Sequence, residues 1–239
     1  MAGVSRGASR PRRRRWTSIE RDLRRDGGDI IAGVDEVGRG SLAGPVVACA
    51  IIMPPAARAL RGVDDSKVLP PPERRRLSRL ILSRALAVGL GAASVDEIDR
   101  LNIYHATTLA MRRALARLAM APDHVLIDGR PIRTLGVPHI AVVDGDDKCF
   151  SIACASIVAK VTRDRLMASL AARYPAYAWE SNVGYGTPAH LAGLRERGAC
   201  DHHRRRFVER VLAETGELPL VLDDAAASER EIEPIQQHM

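Results

Sequence analysis

Carboxylates recur at the ends of apolar runs in this chain. "IIAGVDE" stops at Asp35 and Glu36, "HVLIDG" at Asp128, and "IAVVDGD" at Asp144 and Asp146, with Asp147 next. One acid that opens a turn after a strand is ordinary. Three such runs carry more meaning, because parallel strands of an α/β sheet bring their carboxyl ends to one edge, where ligand sites form. Acids gathered there repel one another, and their pKa values rise unless a cation neutralises them. All-oxygen sites suit hard divalent cations, so Mg²⁺ or Mn²⁺ is the expected occupant. Two such ions about 4 Å apart can activate a water and stabilise the leaving oxygen of a phosphodiester. On spacing alone, three unrelated turn aspartates remain an open alternative.

The elements that would position these acids can be read from the surrounding pattern. "IIAGVDE" and "GPVVACAIIMP" read as two strands joined by a Gly-rich turn, a hairpin. "PPPERRRLSRLILSRAL" reads as a helix with Pro72 near its start, and "AVGLGAASV" as a third strand. "VDEIDRLNIYHATTLAMRRALARLAM" has apolar residues at helical spacing. "HVLIDG" and "HIAVVDGD" are short strands, and "SIACASIVAKVTRDRLMASLAARY" is a long helix. Two further helical patterns follow "SNVGYGTP". Strands that precede helices, with one early hairpin, predict an α/β domain with a mixed sheet. The expected division is a basic, disordered arm over 1–28, a catalytic domain over 29–186, a helical extension over 187–216 and a weakly structured tail over 217–239.

Composition narrows the partner. The 239 residues carry a formal net charge of +7, and lysine occurs only at 67, 148 and 160, so arginine supplies most of the positive charge. A basic exterior around an acidic centre suits an enzyme that acts on nucleic acid. The Arg10–Arg15 segment could hold phosphate backbones without reading sequence. Cys49, Cys149, Cys154 and Cys200 are too few for a secreted disulfide scaffold. No secretory signal and no membrane span is expected, which points to a cytoplasmic setting with no membrane partner, and a monomer is the default expectation.

Seven fragments together resemble ribonuclease HII: "GVDEVGRGSLAGPVV", "DDSKVL", "LNIYHATTLAM", "HVLIDG", "ASIVAKVTRDRLM", "GYGT" and "HHRRRF". They run from about Ile31 to Phe207 in the family's order. The resemblance implies an RNase H-like fold with a five-stranded mixed sheet flanked by helices and a small C-terminal helical extension. It implies hydrolysis of the RNA strand of RNA–DNA hybrids, and incision 5′ of single ribonucleotides embedded in duplex DNA. It also implies that Asp35, Glu36, Asp128 and Asp146 are the catalytic, metal-binding acids for two Mn²⁺ or Mg²⁺ ions. Asp144, where the family often carries lysine, and Asp147 are then turn or solvent residues.

The same resemblance assigns substrate binding to Gly38, Arg39, Gly40, Ser66, Lys67 and Tyr185. Without side chains, Gly38 and Gly40 let the backbone approach a sugar edge and hydrogen-bond a 2′-hydroxyl. Tyr185 would meet the following deoxyribose, Lys67 with Ser66 a DNA phosphate, and Arg39 a phosphate or its own turn. Lys160 and Arg163 share a helix face that could track phosphates or simply face solvent. "CDHH" at 200–203, with Cys149 and Cys154, fits no common zinc spacing. His202 and His203 are assigned to the basic C-terminal region, and His105 is expected as a partly buried, satisfied side chain. A resolvase-like nuclease and a hybrid-binding protein without activity are the alternatives.

Overall fold

The computed structural model describes residues 16–55, 60–64 and 66–214. In chain order the elements are α1 (Ile19–Arg25), β1 (Ile31–Val37), β2 (Val46–Ile52), α2 (Pro71–Leu82), β3 (Ala87–Ala93) and α3 (Val95–Ala116). They continue with β4 (His124–Asp128), β5 (Ile140–Val142), α4 (Gly145–Lys148), α5 (Phe150–Ala171), α6 (Trp179–Asn182), α7 (Pro188–Arg197) and α8 (Arg205–Glu214).

The strands form one five-stranded sheet in the order β3-β2-β1-β4-β5. β1, β2 and β3 pair antiparallel, while β1–β4 and β4–β5 are parallel. The sheet is therefore mixed, and the early hairpin is its antiparallel part. β2 is buried along its whole length because helices cover both faces. Val46, Ala48 and Ala50 pack toward α3 residues such as Ala106 and Ala110, and Cys49 and Ile51 pack toward α5 residues such as Ala153 and Ile157. Strict alternation along an extended chain produces that division. Small residues dominate both interfaces and let the long helices lie close to the sheet.

α3 is not the uninterrupted helix that its periodicity suggests. Asn102 stands at φ 67°, ψ 165°, and its side-chain Oδ1 accepts from the backbone of Tyr104 at 2.9 Å and His105 at 3.2 Å. It acts as an internal N-cap at which the helix restarts. His105, expected to be partly buried, is exposed and sits edge-on to Tyr104 with ring centroids 5.1 Å apart.

The expected disordered arm needs correction over residues 16–28. α1 lies within that stretch and docks Ile19 and Leu23 against Ile31, Leu126, Val142 and Ile152. The buried carboxylate of Glu20 accepts from the backbone N–H of Phe150 and of Ser151, both at 3.0 Å. It caps a helix whose own N-cap residue, Cys149, supplies no side-chain bond. The basic run Arg10–Arg15 and the tail over 217–239 lie outside the described residues. Among those described, no helix is long and apolar enough to cross a membrane.

Candidate active site

Strand register brings the acids together. Val34 pairs with Ile127 in the parallel β1–β4 ladder, so Asp35 and Asp128 follow side by side at the carboxyl edge. Asp128 in turn pairs with Val142 of β5. The chain then passes through Asp144, held in the left-handed region at φ 53°, ψ 46°, and enters α4, which carries Asp146. Strand β5 thus ends two residues before the first of its acids. The fourth carboxylate is presented by a helical turn, not by a strand tip. Asp144 is exposed and approaches Lys148 at 3.8 Å, whereas Asp146 is buried.

The cluster is electrostatically loaded. Burial raises the Asp35 carboxyl well above the usual carboxylate range, with Glu36 and Asp128 adding to the effect. Burial also raises Glu36, opposed by Arg39 and reinforced by Asp128. Asp128 is raised by burial and by Asp146, and opposed by the backbone N–H of Gly145 and by Lys67. Each acid is turned onto a protein donor. Asp35 accepts from Glu36 N at 2.7 Å, Glu36 from Arg39 Nη1 at 3.2 Å, Asp128 from Gly145 N at 2.7 Å and Asp146 from Lys67 Nζ at 3.5 Å.

With those partners, no three His, Cys, Asp or Glu side chains among the described residues are drawn into a coordination group. The donor set nevertheless fits hard dications. It is all oxygen, and each charge raises its neighbour's proton affinity, which is the electrostatic condition that a bound cation relieves. Beside the acids opens a cleft of about 390 Å³, lined by Glu36, Asp128, Arg39, Arg130, Tyr104 and Met111 among others.

The Gly-Arg-Gly turn follows β1 directly. Gly38 has φ +94°, and an added Cβ would lie 2.1 Å from Arg163 Nε, so the fold itself requires glycine there. Gly40 differs: its φ is ordinary, and nothing lies within 4 Å of the place a Cβ would take. No internal constraint excludes a side chain at that position. Arg39 is half-exposed and braces Glu36. Ser66 is buried and faces Ser156 Oγ at 3.0 Å, and Ser156 in turn hydrogen-bonds Asp35. Lys67 keeps most of its side chain in solvent beside Asp146. Tyr185 is 38% exposed, and the loop preceding it meets the turn through Gly184 O, which accepts from Leu42 N at 2.8 Å.

Two buried arginines join these parts, and neither is expected in the interior. Arg163 does not face phosphates or solvent. It is fully buried and donates to the carbonyls of Pro45, Val183 and Ala43 at 2.9, 2.8 and 3.0 Å. Its guanidinium carbon lies 5.9 Å from the Tyr185 ring centroid. Arg204, also fully buried, donates to Gly38, Arg39 and Gly44 carbonyls. A signal for Arg163 exists: Ala159, Arg163 and Met167 follow one another at intervals of four, and both neighbours are core residues. His203 likewise belongs to the interior, not to the basic surface; its ring packs between Tyr177, Trp179 and His190.

Comparison with known proteins identifies the family and the fold. The family model described as Ribonuclease HII matches residues 32–210. The chain is 55% identical to the ribonuclease HII of Paraburkholderia xenovorans (strain LB400), over 75% of this chain and 72% of that protein. It superposes on ribonuclease H2 from Pyrococcus horikoshii OT3 with a TM-score of 0.66 and 26% identity, covering 76% of this chain and 98% of that one. A Bst-RNase HIII crystallised with Mn²⁺ shares the fold at a TM-score of 0.60 and 20% identity, over 79% and 70% of the two chains.

Proposed function

The chain belongs to the ribonuclease HII family and is a ribonuclease H, and from that premise we propose that it cuts on the 5′ side of single ribonucleotides in duplex DNA as well as within RNA–DNA hybrids. Asp35, Glu36, Asp128 and Asp146 would hold two divalent ions, Mn²⁺ or Mg²⁺; the related RNase HIII was crystallised with Mn²⁺. Ions bound there supply charge neutralisation and an activated water, and the products carry 5′-phosphate and 3′-hydroxyl ends.

The chain's own residues supply position and selectivity. Gly145 N and Lys67 fix the orientation of Asp128 and Asp146. Ser156 and Glu36 N do the same for Asp35. Lys67, exposed at the rim, reaches a substrate phosphate when released from Asp146. The open surface at Gly40 leaves room for a sugar edge, whose 2′-hydroxyl meets backbone groups of the turn. Tyr185 receives the next sugar, and a 2′-oxygen there would crowd its ring. The 2′-hydroxyl is read for recognition and is not the nucleophile.

The observation that supports this reading is that the acid edge has Lys67 3.5 Å from Asp146 and runs from β1 straight into the Gly-Arg-Gly turn, whose far side meets the Tyr185 loop through Leu42 N and Gly184 O. Its test is incubation of a DNA duplex containing one ribonucleotide with Mg²⁺ or Mn²⁺. A nick immediately 5′ of the ribonucleotide supports it, and an intact duplex contradicts it.

A further inference from the structure

Tyr185 is held by a residue that never reaches the substrate face. Its carbonyl accepts from Thr187 N at 2.8 Å and lies 2.9 Å from Nδ1 of His190. His190 is fully buried in the first turn of α7. Its Nε2 lies 3.0 Å from Nε1 of Trp179 and 3.0 Å from Nε2 of His203.

The proton positions follow from the partners. An indole nitrogen only donates, so His190 Nε2 accepts, and the neutral ring carries its proton on Nδ1, toward the Tyr185 carbonyl. The backbone N–H of Cys200 donates to His203 Nδ1 at 3.0 Å, so His203 carries its proton on Nε2 and shares the single Nε2 lone pair of His190 with the Trp179 indole in a three-centre bond. A relay therefore runs from Cys200 through His203 and His190 to Tyr185, with Trp179 fixing the tautomer at its middle. His203 itself is anchored to the loop after the Gly-Arg-Gly turn, through its bridge with Ala43. The relay ties the two loops that flank the candidate junction-reading surface to one buried centre.

We infer that His190, oriented by His203 and Trp179, is a positioning residue for Tyr185 and through it sets the preference for a ribonucleotide–deoxyribonucleotide junction. This rests on the reading of Tyr185 given above. A histidine that merely fills the core would alter stability when replaced, but not the choice between substrates.

The test is the ratio of kcat/KM on a single-ribonucleotide duplex to kcat/KM on a uniform RNA–DNA hybrid, measured on one preparation so that any misfolded fraction cancels. His190→Leu is expected to lower the ratio about tenfold, the scale of a lost orienting hydrogen bond with some displacement of the group it held. His190→Asn, whose amide can still donate to the Tyr185 carbonyl, is expected to recover most of it. His203→Leu, which leaves His190 in place but unoriented, gives an intermediate value and serves if His190→Leu does not fold. Tyr185→Ala is the reference. A lowered ratio for Tyr185→Ala with parental ratios for His190→Leu and His203→Leu overturns the inference alone. A parental ratio for Tyr185→Ala overturns the reading of Tyr185 as well.

Discussion

Arg204, in the C-terminal segment, donates from Nη2 to the carbonyl of Gly38 at 2.6 Å across 166 residues of sequence. The same guanidinium serves Arg39 O at 2.9 Å and Gly44 O at 2.8 Å. The C-terminal extension therefore sets the shape of a turn that begins one residue after β1. Arg204→Met strips buried carbonyls of their donor and should cost at least about 3 kcal/mol. Arg204→Lys should recover only part, because an ammonium lacks the planar fork. Urea denaturation checks both; a loss below about 1 kcal/mol for Arg204→Met would contradict the clamp.

Gly40 separates function from folding. Because nothing surrounds its missing side chain, Gly40→Ala should leave the urea midpoint unchanged. Incision at a single ribonucleotide should fall at least about tenfold, since a methyl group displaces the sugar edge from the turn. Gly38→Ala is the contrast, with a stability loss expected from the contact with Arg163. A destabilised Gly40→Ala with normal selectivity would remove the argument for open substrate surface.

Burial pushes the His203 imidazole down to about 4, with His190 and His202 contributing and the Cys200 backbone opposing. A lowered histidine means that the unfolded chain takes up the proton first. Its contribution is complete above the ordinary histidine pKa of about 6.5 and is lost as pH falls toward about 4, up to about 3 kcal/mol. The raised carboxylates slope the opposite way, binding protons more tightly when folded, so the parent's curve alone is mixed. The difference between the parent and His203→Gln isolates the histidine. It should shrink as pH is lowered from 7 to 4; a difference independent of pH contradicts a neutral, buried His203.

Lys67→Ala should raise KM and lower the salt dependence of binding by about one counterion. Fluorescence anisotropy at several salt concentrations reads the slope. An unchanged slope would place Lys67 away from phosphate.

The fold is legible where pattern and period agree. β1, β2 and β4 announce themselves as apolar runs, two of them ending at acids, and α2 and α8 carry a clear 3.6-residue period. What the pattern does not carry has a physical reason in each case. Glu20 looks like a charge in a basic segment, and only the backbone of Phe150 and Ser151, more than a hundred positions away, reveals it as a cap. Asp146 is marked by its motif, but spacing cannot show that a helical turn presents it. Arg163 and Arg204 bind carbonyls that no side-chain pattern encodes. His190 leaves no mark, because its partners are a backbone oxygen, an indole and a second histidine in three separate segments.

In the proposed mechanism Asp35, Glu36, Asp128 and Asp146 act as one dication-binding centre. The most direct measurement maps cleavage of a DNA duplex carrying one ribonucleotide, with Mg²⁺ or Mn²⁺, for the parent and Asp128→Asn. The parent should nick the duplex 5′ of the ribonucleotide. Asp128→Asn should lose at least about a thousandfold in cleavage, about 4 kcal/mol of transition-state stabilisation, with hybrid binding retained. Parental cleavage by Asp128→Asn with either metal would contradict that mechanism.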